Sequence, residues 1–305
     1  MATVQGKALA AGALVMAAGL TAGVATGSHR ADPYAALPSS LSLTGVVRDF
    51  RERSVAGGHV DFERQPTGGF GVYRGMVKDD LDADGKPVFA STGFKLGSDW
   101  KDKAGRARIA DRSYIAAAKG DVKGSVSTTS TGAVTNAESL AQWFRDVPSL
   151  NSSKQVTLSL VRQAGSNIYT FNDRTDAGFA GKGGFFPING ELFGNSKNNT
   201  KNYHFTYELE TEFVYQKGKG QVFTFTGDDD VWVFIGGKLV IDIGGVHGAA
   251  SQTVELDRLS WLQDNEDYKL KFFFAERHRT ESNFRMDTTM VLRSVDPPTT
   301  TALYD

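Results

Sequence analysis

The chain of 305 residues contains no cysteine, and this absence removes several kinds of chemistry. Disulfide bonds, thiolate metal sites, a cysteine nucleophile and a lipid-modified cysteine are all excluded. Export from the cytoplasm is not excluded, because a domain of this size buries enough apolar surface to fold without disulfides.

The chain also has little net charge and few signs of catalysis. Its 34 basic and 35 acidic residues give a net charge of −1, so there is no electrostatic reason to expect nucleic acid or an acidic membrane as a partner. Zinc-protease, nucleophile-elbow, phosphate-loop and dinucleotide motifs are missing. We therefore expect a protein that is not an enzyme. Two well-spaced carboxylates would suffice for glycoside hydrolysis, and a glycan-degrading enzyme is kept as a weaker alternative.

Long apolar runs are absent beyond the N-terminus. Lys7 precedes an apolar run from Ala8 to Val24, and small residues follow from Ala25 to Gly27. This order predicts a signal peptide over 1–27, since the run is short and weakly apolar for a membrane span. We expect a linker over 28–40, a domain over 41–296 and a tail over 297–305. The mature protein is then secreted or at the cell surface, with an uncleaved anchor as the alternative.

Alternating apolar and polar residues dominate the second half of the chain. Together with 34 glycines and 20 phenylalanines, they predict an all-β protein, one elaborated β-sandwich or barrel with a solvated face and long loops. One helix is expected over Asn136 to Val147, capped by Asn136 and packed through an apolar stripe. The Ser/Thr/Gly tract Gly124 to Thr135 is expected to be a flexible surface loop.

The segment Gly227 to His247 is the most informative part of the sequence. Three consecutive carboxylates precede an apolar strand, and Gly236-Gly237 separates it from a second one, which is typical of a tight hairpin. Pairing across this loop places Ile235 opposite Lys238 and Asp230 opposite Ile243. The Asp triplet and the glycine loop after the hairpin then emerge at the same end of the sheet. Adjacent carboxylates repel each other, so a fold that keeps them together solvates them or binds a cation. We favour calcium, which prefers carboxylate and carbonyl oxygens.

Two further groups of residues are weaker candidates. The turn Asp80 to Gly85 imitates the start of a helix-loop-helix calcium site, but its twelfth position is Ser91 and an exposed acidic turn is the favoured interpretation. A polar cluster follows the Phe-rich strand near the C-terminus, where Asn283 offers an amide oxygen to the cation. The candidate ligand-binding residues are Gly244, Gly245, His247, Glu276 and Arg277.

Several blocks of the sequence resemble the bacterial fibro-slime domain. They include Thr44 to Phe50, His59 to Glu63, Glu138 to Pro148 and Phe273 to His278, and they extend from about Leu41 to Arg293. The hairpin also resembles the lectin-like β-domain named after protective antigen, which is shared by flocculins and adhesins. That resemblance implies a calcium site on Asp228 and Asp229, joined by a cis peptide bond, in which the ion contacts sugar hydroxyls. Asp230 is a departure from many relatives, and we expect it to assist as a third carboxylate.

From these observations we expect a secreted, calcium-dependent module that binds carbohydrate or a cell-surface glycan in adhesion or extracellular matrix. Asp228, Asp229, Asp230 and Asn283 would hold the ion. The alternative is a structural subunit of a fibre or matrix, in which calcium only stabilises a loop and the partner is another copy or another surface protein.

Overall fold

The computed structural model describes residues 32–109 and 119–296; the expected signal peptide (1–27) and tail (297–305) lie outside these ranges. No helix in the described part of the chain is long and apolar enough to cross a bilayer. The regular elements are β1 Ser40–Phe50, β2 Tyr73–Arg74, β3 Phe94–Ser98, β4 Trp100–Lys101, β5 Ala107–Arg108, β6 Ser125–Thr131, α1 Ala137–Ala141, β7 Asn151–Arg162, β8 Tyr169–Asn172, β9 Phe205–Val214, β10 Val222–Gly227, β11 Asp230–Ile235, β12 Lys238–Ile243, β13 Ala250–Glu255, β14 Asp267–Glu276, β15 Phe284–Thr288 and β16 Arg293–Ser294, with short 3-10 helices at Ala180–Lys182 and Leu256–Arg258.

The protein is all-β, as predicted, and eleven of its strands form one antiparallel sheet. The strand order is β12-β11-β14-β9-β1-β7-β8-β15-β10-β13, and β16 pairs with β9. The end strands β12 and β13 lie next to each other, so the sheet nearly closes on itself. Two small sheets, β2-β3-β6 and β4-β5, complete the architecture within the described ranges.

Strand β11 and the second half of β14 are buried on both faces. On the inner face, Phe272 lies 5.3 Å from Phe225, centroid to centroid, within a large aromatic core. On the outer face, the ring of Phe273 meets Phe144 at 4.9 Å, and Trp232 meets Trp143 at 5.9 Å. The expected solvated face is therefore covered here, because α1 and the turn after it pack against it. This explains why β11 is apolar almost throughout.

The predicted hairpin is present, but its register changes part of the way along. Ile235 lies opposite Lys238, and Gly236 and Gly237 both have positive φ, as expected for the two-residue loop. A β-bulge between Val233 and Phe234 then shifts the pairing by one residue, so that Ile243 faces Val231. The predicted Asp230–Ile243 pair is therefore wrong, because a bulge adds a residue to one strand only.

Two local predictions also need correction. Helix α1 ends at Ala141, well before the predicted Val147, although Asn136 caps it as expected and forms a reciprocal capping box with Ser139. The tract predicted as a flexible loop contains strand β6, which pairs with β3. Ser and Thr are compatible with strands, and the pairing partner is distant in sequence, so local composition did not reveal this strand.

Candidate functional site

The Asp triplet lies where β10 ends and β11 begins, and all three carboxylates are buried. Asp228, Asp229 and Asp230 are 2%, 3% and 0% exposed. The peptide bond between Asp228 and Asp229 is cis, as the resemblance implied. The three side chains reach different partners, so the triplet is not a solvated charged turn.

Asp230 forms a buried ion pair with Arg277. The Nε atom of Arg277 donates to Oδ2 of Asp230 at 2.5 Å, and a second guanidinium nitrogen donates to Oδ1 at 3.2 Å. The Gly245 backbone N–H donates to the same Oδ1 at 2.6 Å. We therefore remove Asp230 from the expected cation ligands, because both of its oxygens already have strong donors.

The side chain of Arg277, which was expected to bind a ligand, is engaged by internal partners. Its guanidinium is fully buried, stacks over the ring of Trp143 at 4.8 Å and donates to the backbone carbonyl of Asp61. Arg277 therefore ties β14 to β11 and to the segment before β2. Its backbone N–H has a separate role, because it donates to Oδ2 of Asp229 at 3.2 Å.

Two loops hold Asp228 and Asp229. The backbone N–H of His247 donates to Oδ1 of Asp229 at 3.1 Å, so this carboxylate is held between His247 and Arg277. Asn283 donates to Asp228 twice, from its backbone N–H at 2.7 Å and from its amide at 2.6 Å. The candidate site is thus bordered by the loop after β12 and the loop after β14.

Glu276 adds a buried carboxylate to the same place. It is fully buried at the end of β14, and its Oε2 atom makes no hydrogen bond among the described residues. Burial, followed by the charges of Asp229 and Asp228, raises the pKa of Glu276 well above its ordinary value. The structure places Glu276 beside these carboxylates, and its expected contact with a ligand stays a prediction.

Burial also controls the ionisation of the other two carboxylates. It raises the pKa of Asp228 to about 6, and the hydrogen bonds from Asn283 act in the opposite direction. Burial raises the pKa of Asp229 as well; Arg277 opposes this effect, whereas Asp230 and Asp228 add to it. In the absence of a cation, Asp228 therefore takes up a proton at mildly acid pH.

The glycine loop serves close packing. A Cβ at Gly245 would lie 2.5 Å from the carbonyl oxygen of Gly71, and one at Gly244 would lie 2.5 Å from the sulfur of Met76. The carbonyl of Gly244 accepts a hydrogen bond from Tyr73 at 2.6 Å. Gly244 and Gly245 were expected to shape a ligand-binding rim, but both are buried, and their contacts let the segment before β3 lie against the site.

His247 stays a candidate at the edge of the site. Its Nδ1 atom lies 2.7 Å from the carbonyl of Gly248, whereas Nε2 is buried without a hydrogen-bond partner in the described residues. Burial lowers the pKa of His247 to about 4. The ring is therefore neutral at physiological pH.

The segment from Asp61 to Tyr73 also belongs to the site, although no sequence pattern predicted its position there. Asp61 and Glu63 contact Arg277 through their backbone, and Gly71 donates to the carbonyl of Val246 at 2.8 Å. The only earlier signal was the block His59 to Glu63, which carried a resemblance but no role.

The acidic turn Asp80 to Gly85 has its own partners. Asp80 pairs with Lys238, and Asp82 and Asp84 both pair with Arg145. Asp82 also accepts backbone N–H groups of its own turn. These contacts agree with the favoured interpretation of an acidic turn.

The residues present fit a cation only with mixed ligands. Across residues 32–109 and 119–296, no group of three or more His, Asp and Glu side chains is arranged to hold a metal ion. Asp228 and Asp229 would need the amide oxygen of Asn283, Glu276 or backbone carbonyls to complete a site, and calcium accepts such mixtures. The unpartnered oxygen of Glu276 and the excess of buried carboxylates fit this requirement.

The comparison with known families gives a match in the half of the chain that contains this site. Residues 187–303 match the PA14 domain model. The segment includes the Asp triplet, Glu276 and Asn283. The match agrees with the protective-antigen resemblance over that segment, whereas the fibro-slime resemblance stays a prediction.

Relatives cover more of the chain. Protein psiQ of Dictyostelium discoideum is 34% identical over 245 residues, which are 76% of this chain and 20% of psiQ. Protein psiD of the same organism is 32% identical over 260 residues, which are 83% of this chain and 42% of psiD. The chain therefore spans less than half the length of these relatives.

One similar solved structure is the PA14 sugar-binding domain from an RTX adhesin. It shares 14% identity, with a TM-score of 0.21, and the match covers 30% of this chain and 48% of that one. We draw nothing about a ligand from a likeness at this level.

Proposed function

We propose that this chain is a secreted, calcium-dependent module that binds carbohydrate in adhesion or at an extracellular matrix. The observation that carries the proposal is the set of buried carboxylates Asp228, Asp229 and Glu276. The buried guanidinium beside them, Arg277, is committed to Asp230.

Charge balance supports a bound cation. Removing one carboxylate from water costs several kcal/mol unless the charge is compensated, and like charges nearby add to that cost. Asp228, Asp229 and Glu276 receive hydrogen bonds but no direct ion pair with a basic side chain among the described residues. Protons or a divalent ion are then the available means of neutralisation.

Calcium at this place would supply open coordination sites for vicinal hydroxyl groups of a sugar. Asp228 and Asp229 would provide its carboxylate oxygens. Asn283 would turn its amide toward the ion, which exchanges the hydrogen bonds that its oxygen accepts from Arg174 and that its nitrogen donates to Asp228. The loops after β12 and β14 would orient these groups, since each already fixes one carboxylate. The PA14 match supports this assignment, because that domain is associated with carbohydrate-binding and adhesion modules.

The alternative role is a purely structural ion in a subunit of a fibre or matrix. The low exposure of the carboxylates, 2% for Asp228 and 3% for Asp229, favours it, because a deeply buried ion leaves less space for sugar hydroxyls. Both roles predict stabilisation by calcium, and only the first predicts retention on a glycan.

The test combines thermal unfolding with binding to an array of immobilised glycans, with calcium and with EDTA. We expect calcium to raise Tm and to permit glycan retention, and we expect Asp229→Asn to lose both effects. Asp84→Asn is the matched control, because that carboxylate is half-exposed in the separate acidic turn. An unchanged Tm on adding calcium to verified metal-free protein would reject the cation. A raised Tm without glycan retention would favour the structural role.

A further inference from the structure

An exposed aromatic ring stands beside the loops of the candidate site. Phe70 is 46% exposed, although most phenylalanines of the described chain are buried. Its ring meets that of His278 edge-on, with 4.9 Å between centroids and 67° between planes. An edge contact on one neighbour leaves much of the ring available to another molecule.

The backbone around Phe70 is held in place by hydrogen bonds. Gly68 donates to the carbonyl of Thr131 at 2.7 Å, and Gly71 donates to that of Val246 at 2.8 Å. The hydroxyl of Tyr73 donates to the carbonyl of Gly69 at 2.8 Å. The ring is therefore presented by an anchored loop, which lowers the entropy lost when a ligand binds to it.

Two short paths connect Phe70 with Asp229. Along the first, Gly71 binds Val246, and the next residue, His247, donates to Asp229. Along the second, the Phe70 ring contacts His278, and the preceding residue, Arg277, donates to Asp229 through its backbone. Phe70 is thus connected to both of the loops that donate to Asp229.

Two glycines allow the backbone of the Phe70 loop to lie close to the loop after β12. Any side chain at Gly245 would collide with the carbonyl of Gly71, because a Cβ there would lie 2.5 Å from that oxygen. Gly71 itself has a φ of 147°, a conformation that L side chains rarely adopt. Both glycines are needed to bring the Phe70 loop and the loop after β12 together.

We infer that Phe70 is a stacking platform for a sugar ring whose hydroxyl groups reach the site formed by Asp228 and Asp229. The inference rests on the proposed function and extends it to a residue outside the PA14-matched segment. A pyranose presents a patch of C–H groups with slight positive charge, and an aromatic face carries negative charge. Binding sites for polar ligands combine such an apolar surface with a few convergent polar groups.

The ligand class follows from this arrangement. The platform requires a sugar with an open C–H face, and the cation requires vicinal hydroxyls on the same ring. A terminal pyranose has both features, an open C–H face for Phe70 and vicinal hydroxyls for the cation.

The test compares Phe70→Ala, Phe70→Trp and Phe94→Ala with the unchanged protein on immobilised mono- and oligosaccharides in millimolar calcium. Phe94 is the matched control, an aromatic residue on β3 that is 37% exposed. We expect Phe70→Ala to weaken retention about tenfold, as expected for the loss of one aromatic contact, whereas Phe70→Trp and Phe94→Ala retain binding. All three variants should keep the rise in Tm caused by calcium, which shows that the fold and the ion site are intact.

The outcomes separate the inference from the proposed function. Equal retention by Phe70→Ala and the unchanged protein would overturn the platform and leave the calcium-dependent module standing. If the unchanged protein binds no glycan, both proposals fail. If Phe70→Ala loses its calcium response, Phe70 is part of the ion site's structure and the platform is rejected.

Discussion

The side chain of Gln252 takes the place of a backbone ladder between the two end strands of the sheet. Its amide oxygen accepts from the N–H of Asp242 at 2.9 Å, and its amide nitrogen donates to the carbonyl of the same residue at 3.0 Å. One residue thus pairs both backbone groups of Asp242, as a neighbouring strand would. The carboxylate of Asp242 reaches further, accepting from the indole of Trp232 and from the backbone of Gly75.

Gln252→Ala should therefore destabilise the protein strongly. The change removes the hydrogen bonds that Gln252 makes to the buried N–H and carbonyl of Asp242, although this carbonyl still accepts from Arg74, and each lost bond costs about 0.5–1.5 kcal/mol. We expect a loss of about 1–3 kcal/mol in the free energy of unfolding, measured by urea denaturation. Gln163→Ala removes an exposed glutamine and serves as the control. Equal stabilities of the two variants would contradict the role of Gln252 in joining the end strands β12 and β13.

Asp230 and Asp229 should behave differently on mutation, although they are adjacent. Asp230→Ala leaves the buried guanidinium of Arg277 uncompensated, and breaking such a pair costs about 3–5 kcal/mol. We expect this loss with calcium and with EDTA alike. Asp229→Asn should instead remove mainly the calcium-dependent part of the stability. Thermal unfolding of both variants in both buffers checks this, and a loss for Asp230→Ala confined to calcium buffer would restore Asp230 as a ligand.

Glu276→Gln should stabilise the metal-free protein at neutral pH. The variant replaces a buried carboxylate, one oxygen of which lacks a hydrogen bond, with a neutral group of the same shape. We expect a higher Tm in EDTA and a smaller rise on adding calcium, because an attractive charge is gone. Glu191→Gln, at an exposed pair with Lys154, is the control and should change neither value. If Glu276→Gln lowered the Tm in EDTA, the carboxylate of Glu276 would not be an uncompensated buried charge.

The effect of calcium should depend on pH. The pKa of Asp228 is raised to about 6 in the folded protein, whereas an unfolded Asp titrates near about 4. Protonation of Asp228 therefore stabilises the folded state. This stabilisation is complete below about pH 4 and is lost as the pH rises through about 6. We expect the metal-free protein to lose stability between about pH 5 and about pH 7.5 and the calcium-induced rise in Tm to grow, since protons and cation compete. An equal calcium-induced rise in Tm at about pH 5 and at about pH 7.5 would argue against a calcium site that includes Asp228.

Local patterns in the sequence predicted the parts of the fold that local physics determines. The Gly236-Gly237 hairpin, the Asn136 cap and the first strand from Leu41 are all present. The bulge between Val233 and Phe234 was missed, because nothing in the alternation marks one inserted residue inside an apolar strand.

The candidate site was predicted only in part because its contacts are distant in sequence. The partner of Asp230 is 47 residues away, and the carbonyl that receives Arg277 is 216 residues away. The predicted strands place carboxylates and an arginine near strand ends, but they do not predict which donor bonds to which carboxylate oxygen. The role of Phe70 was invisible for the same reason, since its neighbours belong to other loops.

The strand order has a practical consequence for anyone who works with the PA14-matched segment by itself. Strands β1, β7 and β8 lie between β9 and β15 in the sheet, yet all three precede residue 187 in the chain. A fragment trimmed to the matched boundaries would lack the middle of its own sheet, leaving two unpaired edges where hydrogen-bonded neighbours belong. Such a fragment is expected to aggregate, and binding assays on it would measure misfolding instead of recognition.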